Sequence, residues 1–294
     1  MNKPLLLRRR KLGLGSCRGI KQFSHTGIDF IRNDKPFPAN VPIIFRWGCT
    51  SNVPEGVKVV NSAKAIHWAA DKRTSRMLLA EAGLAPKTWE SFGELIDEFG
   101  HCDADKPPSS FILRKSTHHQ GKWLHHFNNC AIEIDDMEHC CEDYGEGNYY
   151  ISEYIPKVAE YRVFIAQGRV VWVAQKTPDN PDAIAWNVAK GGRFDNVRWG
   201  DWPLRAVRVA REAFLMSGLD FGGVDIMTDA EGKCYVLEIN SAPSQTSPYR
   251  QECTAKAFDY IVRNGKAPIP VTEEKGGWRK FIHPALSEEA IMVK

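Results

Sequence analysis

The chain has 294 residues, of which 43% are hydrophobic and 26% are charged, and its formal net charge is +3. This composition is typical of a globular protein with two or three subdomains, and the mild charge gives no reason to expect nucleic acid as a partner. No run approaches the roughly 18 apolar residues of a membrane-spanning helix, so we expect no membrane association. The eight irregularly spaced cysteines indicate reduced thiols in a cytoplasmic protein, or in the host cytoplasm if the gene is carried by a phage.

The first hundred residues alternate between strand and helix patterns. Residues 41–45 and 57–60 are predicted strands, and the polar loop 46–52 after the first strand is placed where open α/β sheets bind ligands. Residues 63–83 are predicted as one helix, with Asp71-Lys72 opening its second half, and residues 91–99 as another helix.

Beyond residue 110 the pattern becomes richer in strands. Strands are predicted at 111–115, 149–156, 160–166 and 169–175, followed by a loop at 178–198, a helix at 204–218, a hairpin at 224–239 and a helix at 254–263. This order predicts an α/β region followed by an α+β region.

The predicted hairpin carries the most informative chemistry. A four-residue turn at 229–232 would place Asp225 opposite Val236, so that Glu238 and Asn240 share the face of Asp225. The same register leaves the other face to apolar side chains, namely Val224, Ile226, Tyr235, Leu237 and Ile239. Three oxygen-bearing side chains on one face are costly to desolvate, and Mg²⁺ binds such ligands. The alternative is that they line a solvated face of the sheet.

Three segments together resemble the ATP-grasp superfamily, and most closely its RimK-like ligases, over residues 55–262. The first is Gly-Val-Asp-Ile with Leu-Glu-Ile-Asn-Ser-Ala-Pro in the hairpin, and the second is Phe-Ile-Leu-Arg-Lys-Ser-Thr-His-His-Gln-Gly from residue 111. The third is Ser-Glu-Tyr-Ile from residue 152, followed by Glu160-Tyr161-Arg162.

The resemblance implies an ATP-grasp fold, α/β then α+β. We expect an N-terminal pre-ATP-grasp α/β subdomain at 1–68, a central lid subdomain at 69–155 and a C-terminal antiparallel-sheet subdomain with the metal site at 156–265. Residues 266–294 would form a tail.

The resemblance also assigns roles to individual residues. The implied metal ligands are Asp225, Glu238 and Asn240, with Glu238 bridging two Mg²⁺ ions and Mn²⁺ able to substitute. The implied nucleotide-binding residues are Lys72, Arg114, Gln120, Gly121, Glu153, Tyr154, Ile155, Glu160, Lys176 and Asn187. The residues expected to hold the acyl phosphate and the substrate carboxylate are Arg162, Lys190 and Arg193.

The implied reaction is an ATP-dependent ligation of a carboxylate to an amine that forms ADP and phosphate through an acyl phosphate. The expected substrate is an amino acid, a peptide or a protein, and a homodimer is compatible with the sequence. The alternatives are a phosphotransferase on the same scaffold, a protein that binds ATP without turnover, and a nucleic-acid-modifying partner that uses the basic N-terminus.

Histidines and cysteines are concentrated between residues 118 and 141, and the group comprises His118, His119, His125, His126, Cys130, His139, Cys140 and Cys141. A zinc site is conceivable there, but the spacing lacks a C-x₂-C pair or an H-x₃-H with partner cysteines. Histidines on the lid surface and buried thiols are the favoured interpretation.

Overall fold

A computed structural model describes most of the chain up to residue 265. The described residues are 3–11, 13–99, 110–116, 123–128, 130–180, 183–186 and 191–265. Within them, seven α-helices and thirteen strands form three separate sheets, each built from one continuous stretch of the chain.

The first sheet is parallel and has the strand order β2-β1-β3-β4. Its strands are β1 (Leu5–Arg8), β2 (Asp29–Arg32), β3 (Ile43–Trp47) and β4 (Lys58–Val60). Helix α1 (Gly15–Phe23) connects β1 to β2. The sequence analysis did not identify β1, α1 or β2, because the short apolar run of β1 is directly followed by four basic residues and two glycines.

The helix predicted at 63–83 is in fact two helices, α2 (Ala63–Ala70) and α3 (Lys72–Glu81). Asp71 separates them because its backbone leaves the helical region, with ψ at 90°. Its carboxylate accepts a hydrogen bond from the Thr74 amide at 3.1 Å, which caps the second helix. The prediction of one helix was therefore wrong, and Lys72 becomes the first residue of α3.

The second sheet is antiparallel and has the strand order β5-β8-β6-β7. Its strands are β5 (Thr88–Trp89), β6 (Phe111–Lys115), β7 (Leu124–Phe127) and β8 (Tyr149–Glu153). Helices α4 (Phe92–Phe99) and α5 (Cys130–Tyr144) accompany this sheet, and Ser91 Oγ accepts the Glu94 amide at the start of α4. We call this unit the lid sheet.

The third sheet is antiparallel with the order β11-β10-β9-β12-β13. Its strands are β9 (Ala159–Ala166), β10 (Arg169–Thr177), β11 (Arg193–Val197), β12 (Phe221–Thr228) and β13 (Cys234–Asn240). Helices α6 (Leu204–Met216) and α7 (Pro248–Asn264) belong to the same part of the chain. Strand β11 lies inside the predicted loop 178–198, which corrects that assignment.

The register of the β12–β13 hairpin differs from the prediction. Thr228 lies opposite Cys234, and the ladder shifts between Asp225 and Ile226, so that Asp225 pairs with Glu238 while Ile226 pairs with Val236. Leu237 is the extra residue of a β-bulge. Consequently Val236 lies in the core and Leu237 faces the pocket described below, the reverse of their predicted faces.

The apolar core is divided into clusters that follow the sheets. One cluster packs α6 and α2 against β9, β10, β12 and β13. A second joins the parallel sheet to the other face of the third sheet and to α7, with Phe45 stacked on Phe258 and Trp47 stacked on Phe221. The lid sheet has its own cluster, whose buried members all lie between Trp89 and Ile151.

Candidate active site

A cavity of about 400 Å³ opens between the lid sheet and the third sheet. Nine residues proposed from the sequence line it: Lys72, Arg114, Glu153, Tyr154, Ile155, Glu160, Lys176, Asp225 and Glu238. They come from α3, β6, the end of β8, β9, β10, β12 and β13, so residues far apart in the chain meet here because the two sheets face each other.

Asp225 is a buried carboxylate held by an arginine. Arg162 on β9 lies directly across the ladder and donates from Nε and Nη2 to the two Asp225 oxygens, at 2.6 and 2.7 Å. Burial alone would lower the pKa of Arg162, but the charge and hydrogen bonds of Asp225 raise it above its usual range. The pair is therefore fully charged, and each carboxylate oxygen keeps a lone pair for a further ligand.

Glu238 is neutralised by a different element. Lys72, the first residue of α3, lies 2.5 Å from Glu238 Oε2, and the Asn240 amide donates to Oε1 at 2.8 Å. Burial would raise the pKa of Glu238, but Lys72, Asn240 and Arg162 hold it well below its usual range. Because Asn240 turns its NH₂ group to Glu238, its carbonyl oxygen is left as an acceptor.

Arg76 is a pocket residue that the sequence analysis missed. It lies one turn after Lys72 on α3, is only 5% exposed, and donates to the carbonyls of Val236 and Leu237 at 2.7 and 2.9 Å. These two carbonyls belong to the β-bulge that brings Glu238 opposite Asp225. Arg76 thus satisfies backbone acceptors that the irregular ladder leaves without strand partners. An arginine one turn after Asp71-Lys72 was the only signal in the sequence.

Glu160 lies between two lysines. Lys157 Nζ is 2.6 Å from Glu160 Oε2, and Lys176 Nζ contacts Oε1. Lys176 also lies 4.0 Å from Asp225 Oδ2, which links this group to the Asp225–Arg162 pair. Burial lowers the pKa of Lys157, and Glu160 offsets that effect only in part. Lys157 is the second pocket residue that the sequence analysis missed.

The backbone after β8 forms one wall of the cavity. The Glu153 amide is used by Lys87 O and the Tyr154 amide by Ser110 O, each at 2.9 Å. Within the described part of the chain, the Ile155 amide has no hydrogen-bond partner. Of the predicted adenine-reading segment, this amide is therefore the donor left available.

Arg114 at the end of β6 is a half-buried guanidinium that lines the cavity. Among the described residues it makes no hydrogen bond and no ion pair, unlike Lys72, Arg162 and Lys176. A cation in this position attracts an anionic ligand.

The donor set fits Mg²⁺. Two carboxylates from paired strands face one cavity, an amide carbonyl oxygen lies next to them, and hard oxygen atoms are the ligands that Mg²⁺ prefers. Both carboxylates are held ionised by neighbouring cations, so metal binding requires no deprotonation.

Other proposed residues lie elsewhere. Arg193 is absent from the cavity lining, and its exposed guanidinium bonds Asp195 at 3.1 Å, so the structure does not bring it to the other site residues. Gln120, Gly121, Asn187 and Lys190 lie outside the described residues.

The histidine and cysteine group shows no shared centre where it is described. His125 contacts the Tyr144 hydroxyl at 2.7 Å and His126 contacts Ser110 Oγ at 2.8 Å. Among the residues that the structure describes, no group of three or more His, Cys, Asp or Glu side chains could hold a metal ion. His118 and His119 lie outside the described residues.

Comparison with known families identifies the fold. A family model described as an ATP-grasp domain, the third family of its clade, matches residues 105–259, more than half of the chain. The chain belongs to this ATP-grasp family. Its pocket therefore lies between two sheets that are both parts of an ATP-grasp fold.

Two curated relatives are similar in sequence to this ATP-grasp protein. "Probable alpha-L-glutamate ligase 2" of Hahella chejuensis is 26% identical over 223 residues, which are 71% of this chain and 68% of the relative. "Probable alpha-L-glutamate ligase" of Aeromonas salmonicida is 27% identical over 195 residues, 63% of this chain and 60% of that relative.

A solved structure supports the same fold. The ATP-grasp ligase PsnB, complexed with minimal precursor, Mg and ADP, matches with a TM-score of 0.61 and 15% identity, covering 89% of this chain and 99% of that one. In the described residues, no helix is both long enough and apolar enough to cross a membrane.

Proposed function

We propose that this ATP-grasp protein is an ATP- and Mg²⁺-dependent ligase that joins a carboxylate to an amine and forms ADP and phosphate. One observation carries the proposal: Asp225 and Glu238 lie opposite each other in a cavity that also presents Lys72, Arg114 and Lys176. Paired carboxylates beside cations suit a metal-bound polyphosphate better than an uncharged ligand.

The nucleotide would lie between the two sheets. The Ile155 amide is available at one end of the cavity for an adenine acceptor, and Arg114 is available for the phosphates. Lys72 and Lys176 lie closer to the carboxylates, so they would hold the far end of the triphosphate. Closure of the lid sheet over this end would exclude water.

Asp225, Glu238 and Asn240 are the residues that would hold magnesium, and we propose two ions bridged by Glu238. When bound, the metal neutralises the triphosphate and makes the γ-phosphorus a better electrophile. Until then, Lys72 and Arg162 keep the carboxylates ionised and in position.

The reaction divides into two displacements. A substrate carboxylate oxygen bonds to the γ-phosphorus while the bond from that phosphorus to the ADP oxygen breaks. An amine nitrogen then bonds to the acyl carbon, loses a proton, and phosphate leaves. No protein nucleophile is needed, because alignment and charge neutralisation supply the catalysis. Arg162 is our candidate for contact with the transferred phosphoryl group, because it lies beside Asp225.

The proposed substrates are amino acids, peptides or a protein terminus or side chain. The relatives are named as glutamate ligases, and the PsnB structure holds a precursor. For this chain the pairing of acid and amine is a proposal, and a panel of amino acids, glutamate-containing peptides and candidate acceptors would identify it.

The test is product analysis with Mg²⁺ across that panel. We expect ADP and phosphate in equal amounts, together with a new amide. AMP and pyrophosphate would contradict the acyl-phosphate route, and a stable phosphorylated product would indicate a phosphotransferase.

The matched variants for this test are Asp225→Asn and Asp195→Asn. Asp225→Asn removes a proposed metal ligand and should reduce turnover at least ~100-fold, within the range found for lost catalytic interactions. Asp195→Asn removes the exposed carboxylate that bonds Arg193 and Thr177 outside the cavity, and should leave turnover close to that of the unmodified protein.

A further inference from the structure

Trp186 is a cavity-lining side chain that neither the resemblance nor the proposed mechanism uses. It ends the segment 183–186, which lines the cavity together with the backbone after β8. The indole is only 8% exposed, and its Nε1 atom is buried without a hydrogen-bond partner in the described structure. Buried donors are nearly always satisfied, so a buried donor in a cavity wall points to an acceptor on a ligand.

Lys157 fixes the part of the cavity to which Trp186 belongs. Its ammonium lies 4.7 Å from the centre of the Trp186 ring while it donates to Glu160 Oε2 at 2.6 Å. The indole is therefore adjacent to Glu160, the acid that the resemblance places against the ribose hydroxyls. The cation–π contact fixes the ring, because the ammonium is held by Glu160 at the same time.

Glu160 by itself is poorly placed to accept two hydroxyl groups. Both of its oxygens are bonded to lysines and the side chain is 2% exposed. A ribose at this position therefore meets more donors than acceptors. Its hydroxyl oxygens can accept hydrogen bonds, and the Trp186 N–H is a neutral donor in need of an acceptor.

We propose that the Trp186 indole donates a hydrogen bond to a ribose hydroxyl oxygen of the bound nucleotide and thereby selects ribonucleotides. Lys157 acts as a positioning residue that holds the indole against Glu160. This inference rests on the proposed function, because it requires ATP in the cavity.

The test compares ATP, 2′-deoxy-ATP and 3′-deoxy-ATP by isothermal titration calorimetry with Mg²⁺, without an acceptor substrate. Trp186→Phe removes the N–H and keeps an aromatic ring, and Trp199→Phe is a matched control at a tryptophan absent from the cavity lining. A net hydrogen bond changes affinity by about two- to tenfold.

We expect the unmodified protein to bind one deoxynucleotide about two- to tenfold more weakly than ATP. Trp186→Phe should bind ATP more weakly by a similar factor and bind that same deoxynucleotide as the unmodified protein does. Trp199→Phe should match the unmodified protein with all three nucleotides.

Two results would overturn the inference alone. One is equal affinity of the unmodified protein for all three nucleotides, whatever the variant does. The other is a Trp186→Phe variant that binds ATP unchanged, or that loses affinity equally for all three. If the unmodified protein binds no nucleotide with Mg²⁺, the ligase proposal fails and this inference fails with it.

Discussion

At the scale of single residues, the cavity is a set of charges that are almost all compensated. Asp225 is matched by Arg162, Glu238 by Lys72, and Glu160 by two lysines. Removing one member of such a buried pair leaves its partner uncompensated, at a cost of about 3–5 kcal/mol. Substitutions at these pairs therefore change stability and function together.

Arg114 offers a cleaner test, because it makes no ion pair or hydrogen bond among the described residues. We predict that Arg114→Met raises the KM for ATP by about ten- to a hundredfold, as expected for loss of a charge-assisted contact of about 1.5–3 kcal/mol. Steady-state kinetics and urea unfolding measure the two effects. A large loss of stability with unchanged KM would contradict the phosphate-binding role.

At the scale of elements, helix α3 connects the cavity to the bulged strand β13. Its first residue holds Glu238, and Arg76 one turn later holds two carbonyls of the bulge. Both contacts depend on where the helix begins, which Asp71 sets through its cap.

The cap can be tested against a second cap of similar geometry. Asp71 accepts the Thr74 amide and Ser62 accepts the Ala65 amide, both at 3.1 Å. Replacing either with alanine should cost about 1 kcal/mol of unfolding free energy. We predict that Asp71→Ala also raises the KM for ATP, since it frees the first turn that carries Lys72, whereas Ser62→Ala does not. Equal KM values in the two variants would show that the start of α3 is not functionally constrained.

Arg76 can be tested in the same way. Arg76→Met leaves two buried carbonyls without donors and should lower the unfolding free energy by about 2–4 kcal/mol. Because the bulge aligns Glu238 with Asp225, we also predict a higher Mg²⁺ concentration for half-maximal turnover. Arg208→Met, at an exposed position on α6, is the control and should change stability by less than about 0.5 kcal/mol. An unchanged magnesium requirement would limit Arg76 to a structural role.

At the scale of the whole molecule, the protein positions its acids before any metal arrives. Arg162 and Lys72 already neutralise Asp225 and Glu238, so the fold does not need a divalent ion to keep these carboxylates together.

We therefore predict that adding EDTA leaves the melting temperature of the nucleotide-free protein unchanged, while it removes most of the stabilisation that ATP provides. A ligand at a hundred times its Kd adds about 2.7 kcal/mol, which calorimetry detects readily. A fall in the melting temperature of the nucleotide-free protein on chelation would mean that a resident metal supports the fold.

Much of this architecture could be predicted where local pattern and tertiary environment agree. Strand β6 and the β9–β10 hairpin match their predicted positions closely, because their apolar residues are continuous or alternate cleanly. Strand β11 was missed because Arg-Phe-Asp-Asn-Val is mostly polar and forms an edge that pairs with β10 alone.

The proposed metal site was predicted for a reason that proved partly wrong. Strict alternation from a four-residue turn placed Asp225 opposite Val236, whereas the bulge at Leu237 places it opposite Glu238. The bulge depends on Arg76, which is about 160 residues away in the chain, so no local pattern could reveal it. The family motif preserved the correct pairing of acids where the geometric argument did not.

The separate apolar cluster of the lid sheet has a consequence for how a nucleotide enters. None of its buried members belongs to the clusters that join the other two sheets, so this flap can swing outward without exposing their interior to water. The cost of opening then falls on polar links such as the hydrogen bond from Arg73 on α3 to Tyr149 O, at 3.1 Å. Such links exchange readily with solvent, so the doorway can yield while the rest of the molecule stays packed.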